Sequence, residues 1–473
     1  MLPVDASCRF FLPMLLADSA SLPIVADEAP HVDESNARDA GKGTAPAGSG
    51  CRSRRQAEVC ALLALHRPLT CSRPPRRRQA PRSTFEREIS MVSDSSATRF
   101  ARALKSLVET PEEIAVNVTF VLGSGFSNSW DKRYPIGNDL FDFSSDEWAE
   151  RSPILANFLE SVSLCPKDLR IDRSMFLDLV YQVGMLRKYP PIRHRYVDDY
   201  GLEIVERELR YLVYRKFRDC IRHSPIKDCA PALPDPLDDA QHAILAFFAR
   251  LLSWDRPAHG HDAGDCIRLN FLTTNYDYLV EALVARADLC NASTQARRYY
   301  RGFTPAALSG SGDVQRAMPI ASTGHLLKIN GGFEIFRTRE HFELDYRERD
   351  EARLRANPPQ IMLPSRAQDY EQAYFQALFP KAVRLLQESR VAVLIGYGFP
   401  EEDALLRLLL RQFAEAPRDG RRRALYYIDL ETEKTQLARV TRVFPHASDS
   451  GGLAVMPYQG SFSDWCDAVL QQI

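Results

Sequence analysis

The chain has 473 residues, 45% of them hydrophobic, which is enough for about three average domains with a sizeable core. Its 61 basic residues nearly balance its 62 acidic ones, so net charge gives no reason to expect nucleic acid or an anionic membrane as a partner. The sequence contains no apolar run long enough to cross a bilayer and no paired C-x-x-C among its ten cysteines. We expect a cytoplasmic protein without a metal.

Residues 1–95 differ in composition from the rest of the chain. They are rich in Ala, Ser, Pro and Arg and show no sustained apolar period, which predicts a disordered extension. Its arginine-rich second half is compatible with a nucleic-acid or targeting tail. We favour a nonfunctional extension, with the natural chain beginning at Met91.

Apolar strands alternate with helices in the remainder. A helix near residues 97–107 precedes a β-branched strand at residues 116–122, which stops at a glycine turn. Residues 153–252 change to a helical period and predict an inserted helical subdomain. Strand-like runs return at residues 267–273, 325–329, 391–395 and 424–428. We therefore predict a doubly wound, Rossmann-like parallel sheet formed by residues 96–152 and 253–473.

The glycine turn reads Gly123-Ser124-Gly125-Phe126-Ser127. Two glycines just past a strand allow a tight turn and the close approach of a ligand, and amides at the following helix start can hold a pyrophosphate. Asn128 replaces the third glycine of the dehydrogenase fingerprint, and no lysine follows in P-loop register. A purely structural turn is the alternative.

Four further blocks follow in order, each at a strand end or just past the turn: Tyr134-Pro-Ile-Gly-Asn-Asp-Leu140, Leu272-Thr-Thr-Asn-Tyr-Asp-Tyr-Leu279, Leu327-Lys-Ile-Asn-Gly-Gly332 and Leu394-Ile-Gly-Tyr-Gly-Phe399. Together they resemble the sirtuin-like superfamily, specifically its zinc-free bacterial branch, which is associated with antiviral NAD depletion. The resemblance spans about residues 116–429, without the helical insertion. It implies that NAD is the ligand.

By this resemblance, Asn275 and Asp277 look like the N-x-D pair of the family. Asn275 would position a water or the nicotinamide ribose, Asp277 would hold the carboxamide, and Thr274 would contact the cofactor. Cleavage of the nicotinamide–ribose bond builds positive charge on the sugar, which fixed polar groups stabilise. The alternative is that Asn275 and Asp277 only cap the helix that begins near Tyr278.

The sequence departs from the family at Asn330, where sirtuins usually carry a histidine that acts as a general base. Asparagine cannot accept a proton near neutral pH, so acyl-lysine chemistry loses its base. Hydrolysis by water depends less on that base, and Asn330 would serve as a hydrogen-bonding group. His325 lies five residues earlier, and we expect it to be structural.

A second turn, Gly396-Tyr397-Gly398, ends another buried strand, and the resemblance implies that it contacts the adenosine half of NAD. Asp429 ends the strand at residues 424–428, where a carboxylate could bind ribose hydroxyls. The alternative for Asp429 is a solvated strand end. For Asp403, an ordinary helix N-cap is as good an interpretation as a functional role.

The sequence thus predicts an NAD glycohydrolase that releases nicotinamide and ADP-ribose, acting in anti-phage defence. Control would come from residues 153–252, from self-association or from a separate regulatory protein. The alternative is a non-catalytic module that senses NAD or ADP-ribose. Deacylase or ADP-ribosyltransferase activity ranks third, and a dehydrogenase last.

Overall fold

The computed structural model describes most of the chain beyond residue 94, and these residues belong to one compact unit, residues 78–473. The predicted disorder of residues 1–95 lies, apart from Ser95, outside the described residues. The described ranges are 95–109, 115–148, 152–161, 170–192, 198–220, 233, 236–254, 266–287, 299–305, 308–309, 314–315, 324–339, 341–347, 349–368, 370–415, 422–445 and 452–473.

Eleven strands form two sheets in the described residues. The strands are β1 Val116–Leu122, β2 Ile267–Thr273, β3 Tyr299–Tyr300, β4 Leu308–Ser309, β5 Val314–Gln315, β6 Gly324–Lys328, β7 Ile335–Arg337, β8 Phe342–Asp345, β9 Val391–Ile395, β10 Arg423–Asp429 and β11 Leu453–Gln459. The larger sheet has the order β11-β10-β9-β1-β2-β6-β3, and every pair in it is parallel. The smaller sheet has the order β5-β4-β8-β7 and was not predicted.

The larger sheet confirms the predicted fold class. Without the edge strand β3, its strands taken in chain order follow the doubly wound order 3-2-1-4-5-6. The order reverses between β1 and β9, which pair in parallel from Val118 opposite Val391 to Leu122 opposite Ile395. The carboxyl ends of β1 and β9 therefore border the crevice where ligands bind in such sheets.

Fourteen α-helices surround these sheets in the described residues. They are α1 Ser96–Glu109, α2 Ser124–Trp130, α3 Gly137–Leu140, α4 Ser145–Trp148, α5 Pro153–Ser161, α6 Arg173–Lys188, α7 Asp199–Cys220, α8 Asp239–Trp254, α9 Leu279–Ala287, α10 Glu351–Ala356, α11 Ala373–Glu388, α12 Ala404–Glu415, α13 Glu433–Val443 and α14 Phe462–Leu470. None of those helices is long and apolar enough to span a membrane.

Helices cover both faces of the larger sheet. Alternate strand residues point to opposite sides of the sheet, and both sets are largely apolar, so both faces have to be buried. Helices α1, α8, α9 and α14 bury one face, where Phe120 contacts Phe247 of α8 with ring centroids 6.1 Å apart. Helices α11, α12 and α13 bury the other face against side chains such as Leu394. The sheet is thus buried on both sides, as its apolar strands require.

The segment predicted as a helical insertion, residues 153–252, is helical in its described parts. Helices α5, α6 and α7 belong to the hydrophobic cluster that also contains α10 and the α11–α13 face of the sheet, whereas α8 packs on the opposite face. The helical period of the sequence did not distinguish α8, which packs on the sheet, from helices α5, α6 and α7. The division into a sheet domain and an inserted subdomain stays a prediction.

Candidate functional site

The turns after β1 and β9 interlock at the point where the strand order reverses. The N–H of Gly123 donates to the Ile395 carbonyl at 3.0 Å, and that of Gly125 donates to the Gly396 carbonyl at 3.1 Å. Gly396 has a φ of 57°, and a Cβ there would lie 2.4 Å from the Gly125 Cα. Backbone packed against backbone is therefore what requires glycine at these positions.

This packing changes the role expected of the first turn. The N–H groups of Gly123 and Gly125 are already used, and that of Phe126 donates to the Gly123 carbonyl at 2.9 Å. The Phe126 ring packs in the core beside Phe248 and Phe462. Most of the amides that were expected to hold a pyrophosphate are thus engaged within the protein.

A cavity of about 670 Å³ opens at the carboxyl ends of the strands. This volume falls within the range of roughly 300–1,000 Å³ that is typical of small-molecule sites. Of the predicted site residues, Gly123 and Phe126 are absent from its wall. The others line it: Ser124, Gly125, Ser127, Thr274, Asn275, Asp277, Asn330, Gly396, Tyr397, Gly398 and Asp429.

Three side chains form a hydrogen-bonded chain in the cavity wall. Asn275 donates from Nδ2 to the Gly123 carbonyl at 2.8 Å and to Ser127 Oγ at 2.9 Å. Ser127 Oγ donates in turn to Asp277 Oδ2 at 2.7 Å. Both N–H bonds of Asn275 are therefore used, and its amide oxygen receives only a long contact of 3.4 Å from the Thr274 hydroxyl. That oxygen is the free acceptor of the group.

The Asp277 carboxylate does cap the following helix, as the alternative interpretation proposed. Its Oδ1 accepts the N–H of Leu279, the first residue of α9, at 3.0 Å. Burial raises the pKa of the Asp277 carboxyl above its usual value, while the hydrogen bonds from Leu279 and Ser127 oppose that rise. Because Asp277 also lines the cavity, capping and ligand contact are compatible.

Asn330 lies two residues beyond the end of β6 and lines the same cavity as Ser127. Its carbonyl accepts the Met362 N–H at 2.8 Å, and the described residues make no hydrogen bond with its side-chain amide. A ligand could use that amide as both donor and acceptor. His325 lies near the start of β6, outside the cavity wall, with its ring Nδ1 3.1 Å from Asn270 Oδ1.

A buried ion network lies outside the cavity wall, next to Asp277, and the sequence analysis missed it. Lys328 contacts Glu281 at 2.9 Å and Glu334 at 2.8 Å, and Arg301 contacts the same two carboxylates at 2.8 and 2.9 Å. Lys328 Nζ also donates to the Asp277 carbonyl at 2.6 Å. The network thereby fixes the main chain of a cavity residue. A lysine at the end of the apolar strand β6 was the available signal.

The second turn carries a hydrogen-bonded pair and an unusual backbone conformation. Tyr397 donates from its hydroxyl to Asp403 Oδ2 at 2.9 Å, and Tyr427 donates to the Tyr397 carbonyl at 2.8 Å. Phe399 has a φ of 54°, a region that bulky residues rarely adopt and that is often found at functional sites. Asp429 lines the same end of the cavity, with its Oδ2 3.7 Å from Arg439 Nη1.

Burial raises the pKa of the Asp403 carboxyl above 3.8, and this shift predicts a pH effect on stability. The folded protein binds the proton more tightly than the unfolded chain, so this group stabilises the fold in acid and loses that contribution as pH rises from 3.8 through the folded pKa. We therefore expect Asp403→Asn, which does not titrate, to gain stability relative to the wild type as the pH rises from 3.8 towards neutrality, measured by urea unfolding.

The exposed Asp467 supplies the control for this prediction. Asp467→Asn makes the same chemical change at the surface and should alter the free energy of unfolding little. A difference between wild type and Asp403→Asn that stays constant over the same pH range would contradict the assignment.

Comparison with protein-family models found no match, and comparison with curated proteins found none either. The resemblance to the sirtuin-like superfamily therefore stays a prediction from the residues.

Proposed function

We propose that the cavity binds NAD and that the protein hydrolyses the bond between nicotinamide and ribose. The observation that carries this proposal is the convergence of polar groups from the ends of β1, β2 and β6 on one cavity where the strand order reverses. Open α/β sheets bind dinucleotides at that point.

The chain's own groups suit hydrolysis by water. The amide oxygen of Asn275, which receives only a 3.4 Å contact from the Thr274 hydroxyl, can accept a hydrogen bond from an attacking water and orient it. Departure of nicotinamide leaves positive charge on the ribose, and the Asp277 carboxylate is fixed nearby by Ser127 and Leu279. A carboxylate and dipoles held in place beforehand stabilise such charge without reorganising. Asn330 supplies a further hydrogen-bonding group.

One observation favours a second candidate, a non-catalytic sensor of NAD or ADP-ribose. Asn330 cannot act as a general base, and both oxygens of Asp277 already accept hydrogen bonds within the protein. Such a site would hold the dinucleotide without turning it over.

Nicotinamide release tests the proposal. The full-length protein, incubated with NAD, should release nicotinamide, and Asn275→Ala should lower the rate by about 100-fold because the water loses its acceptor. Asn357→Ala is the matched control, since Asn357 lies outside the cavity wall and, like Asn275, donates from its side chain to a main-chain carbonyl, that of Arg337 at 3.1 Å. Unfolding curves of all three proteins separate a loss of chemistry from a loss of fold.

Calorimetric titration with NAD and ADP-ribose distinguishes the two candidates. Binding without nicotinamide release would replace the hydrolase with the sensor. A full-length, folded protein that binds neither compound would contradict both.

A further inference from the structure

The cavity has little provision for the negative charge of a pyrophosphate in its first glycine turn. The amides of Gly123, Gly125 and Phe126 already donate to carbonyls of the protein. A cationic side chain in the cavity wall is then the strongest partner for the phosphates of a bound ligand. Three line the cavity: Lys132, Arg173 and Arg439.

The three cations differ in how they are placed. Lys132 is exposed to solvent, where a lysine is a mobile and strongly hydrated charge. Arg439 lies beside two carboxylates, those of Asp429 and Glu431, and also donates to the Tyr427 hydroxyl at 3.4 Å. Of the three, Arg173 is the cation that has a buried donor without a partner among the described residues.

Arg173 is the first residue of α6, and it reaches across to the loop that follows the Gly398 turn. Its Nη2 donates to the carboxylate of Glu402, and 33% of its side chain is exposed. Its Nε is buried and has no hydrogen-bond partner among the described residues. A buried guanidinium N–H without an acceptor is costly, so the protein alone does not satisfy all donors of Arg173, and its exposed part can still meet a further acceptor.

We propose that Arg173 binds the phosphates of the cavity's ligand, a nucleoside diphosphate group, and that Glu402 holds Arg173 until the ligand arrives. This inference rests on the proposed function only in taking NAD as the ligand. A planar guanidinium with several donors matches phosphate oxygens in pairs. The ligand would thus exchange one anionic partner of Arg173 for another.

The exchange predicts opposite effects for the two members of the ion pair. Arg173→Met removes the phosphate contact and should weaken ADP-ribose binding by about 10- to 100-fold. Glu402→Gln removes the competing carboxylate and its repulsion of phosphate, and should tighten binding by about 5-fold. A merely structural ion pair would instead weaken binding in both variants.

Arg366→Met is the matched control, because it breaks another ion pair on the same helix. Arg366 Nε contacts Asp178 of α6 at 2.8 Å, and neither residue lines the cavity. Its ADP-ribose affinity should equal that of the wild type. An affinity loss as large as that of Arg173→Met would show that the position of α6, not the guanidinium, governs binding, and would overturn the inference.

Calorimetry of the full-length protein and its variants with NAD, ADP-ribose, ADP and adenosine completes the test. Adenosine, which lacks phosphate, should not distinguish Arg173→Met from the wild type. NAD binding that is equal in wild type and Arg173→Met would overturn the inference and leave the proposed function standing. ADP binding that depends on Arg173, without any NAD binding, would overturn the proposed function and leave the phosphate-binding role of Arg173 standing. The inference also fails if none of the phosphate compounds binds.

Discussion

Lys328→Met will lower the free energy of unfolding by about 3–5 kcal/mol, measured by urea denaturation near neutral pH. The methionine fills a similar volume but leaves the buried carboxylates of Glu281 and Glu334 with Arg301 as their remaining cation. Removing one partner from a buried ion network costs far more than the network contributes, because the remaining charges stay desolvated. The Asp277 carbonyl loses its donor as well.

The same substitution should be less harmful in acid. Burial raises the pKa of the Glu334 carboxyl, and the loss of Lys328 raises it further, so the variant can neutralise that group by binding a proton. Its deficit in the free energy of unfolding should therefore grow as the pH rises from 4.5 towards neutrality. Lys381→Met on the exposed side of α11 is the control and should change stability little. A deficit for Lys328→Met below about 1 kcal/mol would mean that the network is not a buried electrostatic unit.

Gly396→Ala will destabilise the protein by about 3 kcal/mol or more, whereas Gly398→Ala, two residues away, will change stability by about 0.5 kcal/mol or less. The Gly396 Cβ would lie 2.4 Å from the Gly125 Cα and would also sit at a left-handed φ. A Cβ on Gly398 meets nothing within 4 Å among the described residues. Thermal and urea unfolding of both variants measure the contrast.

The pair also separates two reasons for the glycines in this turn. If Gly396→Ala and Gly398→Ala have the same free energy of unfolding, close backbone packing is not the reason for glycine at position 396. If Gly396→Ala is as stable as the wild type, the turns after β1 and β9 do not interlock as described.

Five of the seven strands of the larger sheet were predictable because each carries its own signal, whereas β11 and the two-residue β3 were not predicted. Residues 116–122 form a mostly apolar, β-branched run that ends at Gly123, and the structure has a strand over the same residues. The strand ends also located the polar groups, since Asn275 and Asp277 follow β2 directly. What the pattern could not supply was the reason for the glycines, because the partner of Gly125 is a turn far along the chain.

The ion network and the second sheet depend on contacts that no local pattern contains. The four charged residues of the ion network come from separate elements: Glu281, Arg301, Lys328 and Glu334. In the sequence, each of them resembles an ordinary surface charge. Strands β4 and β5 have two residues each, too short for a periodic signal. Arg173 was missed for the same reason, since its partner Glu402 lies in a distant loop.

The meeting of the turns after β1 and β9 has a consequence for synthesis. A growing chain releases its N-terminal strands first, so β1 and β2 leave the ribosome long before β9. The floor of the cavity cannot form until β9 has been made and paired with β1. A protein proposed to consume NAD would thus have no NAD-cleaving activity as a nascent chain or as a chain truncated before β9. The activity would arise only once the sheet is complete.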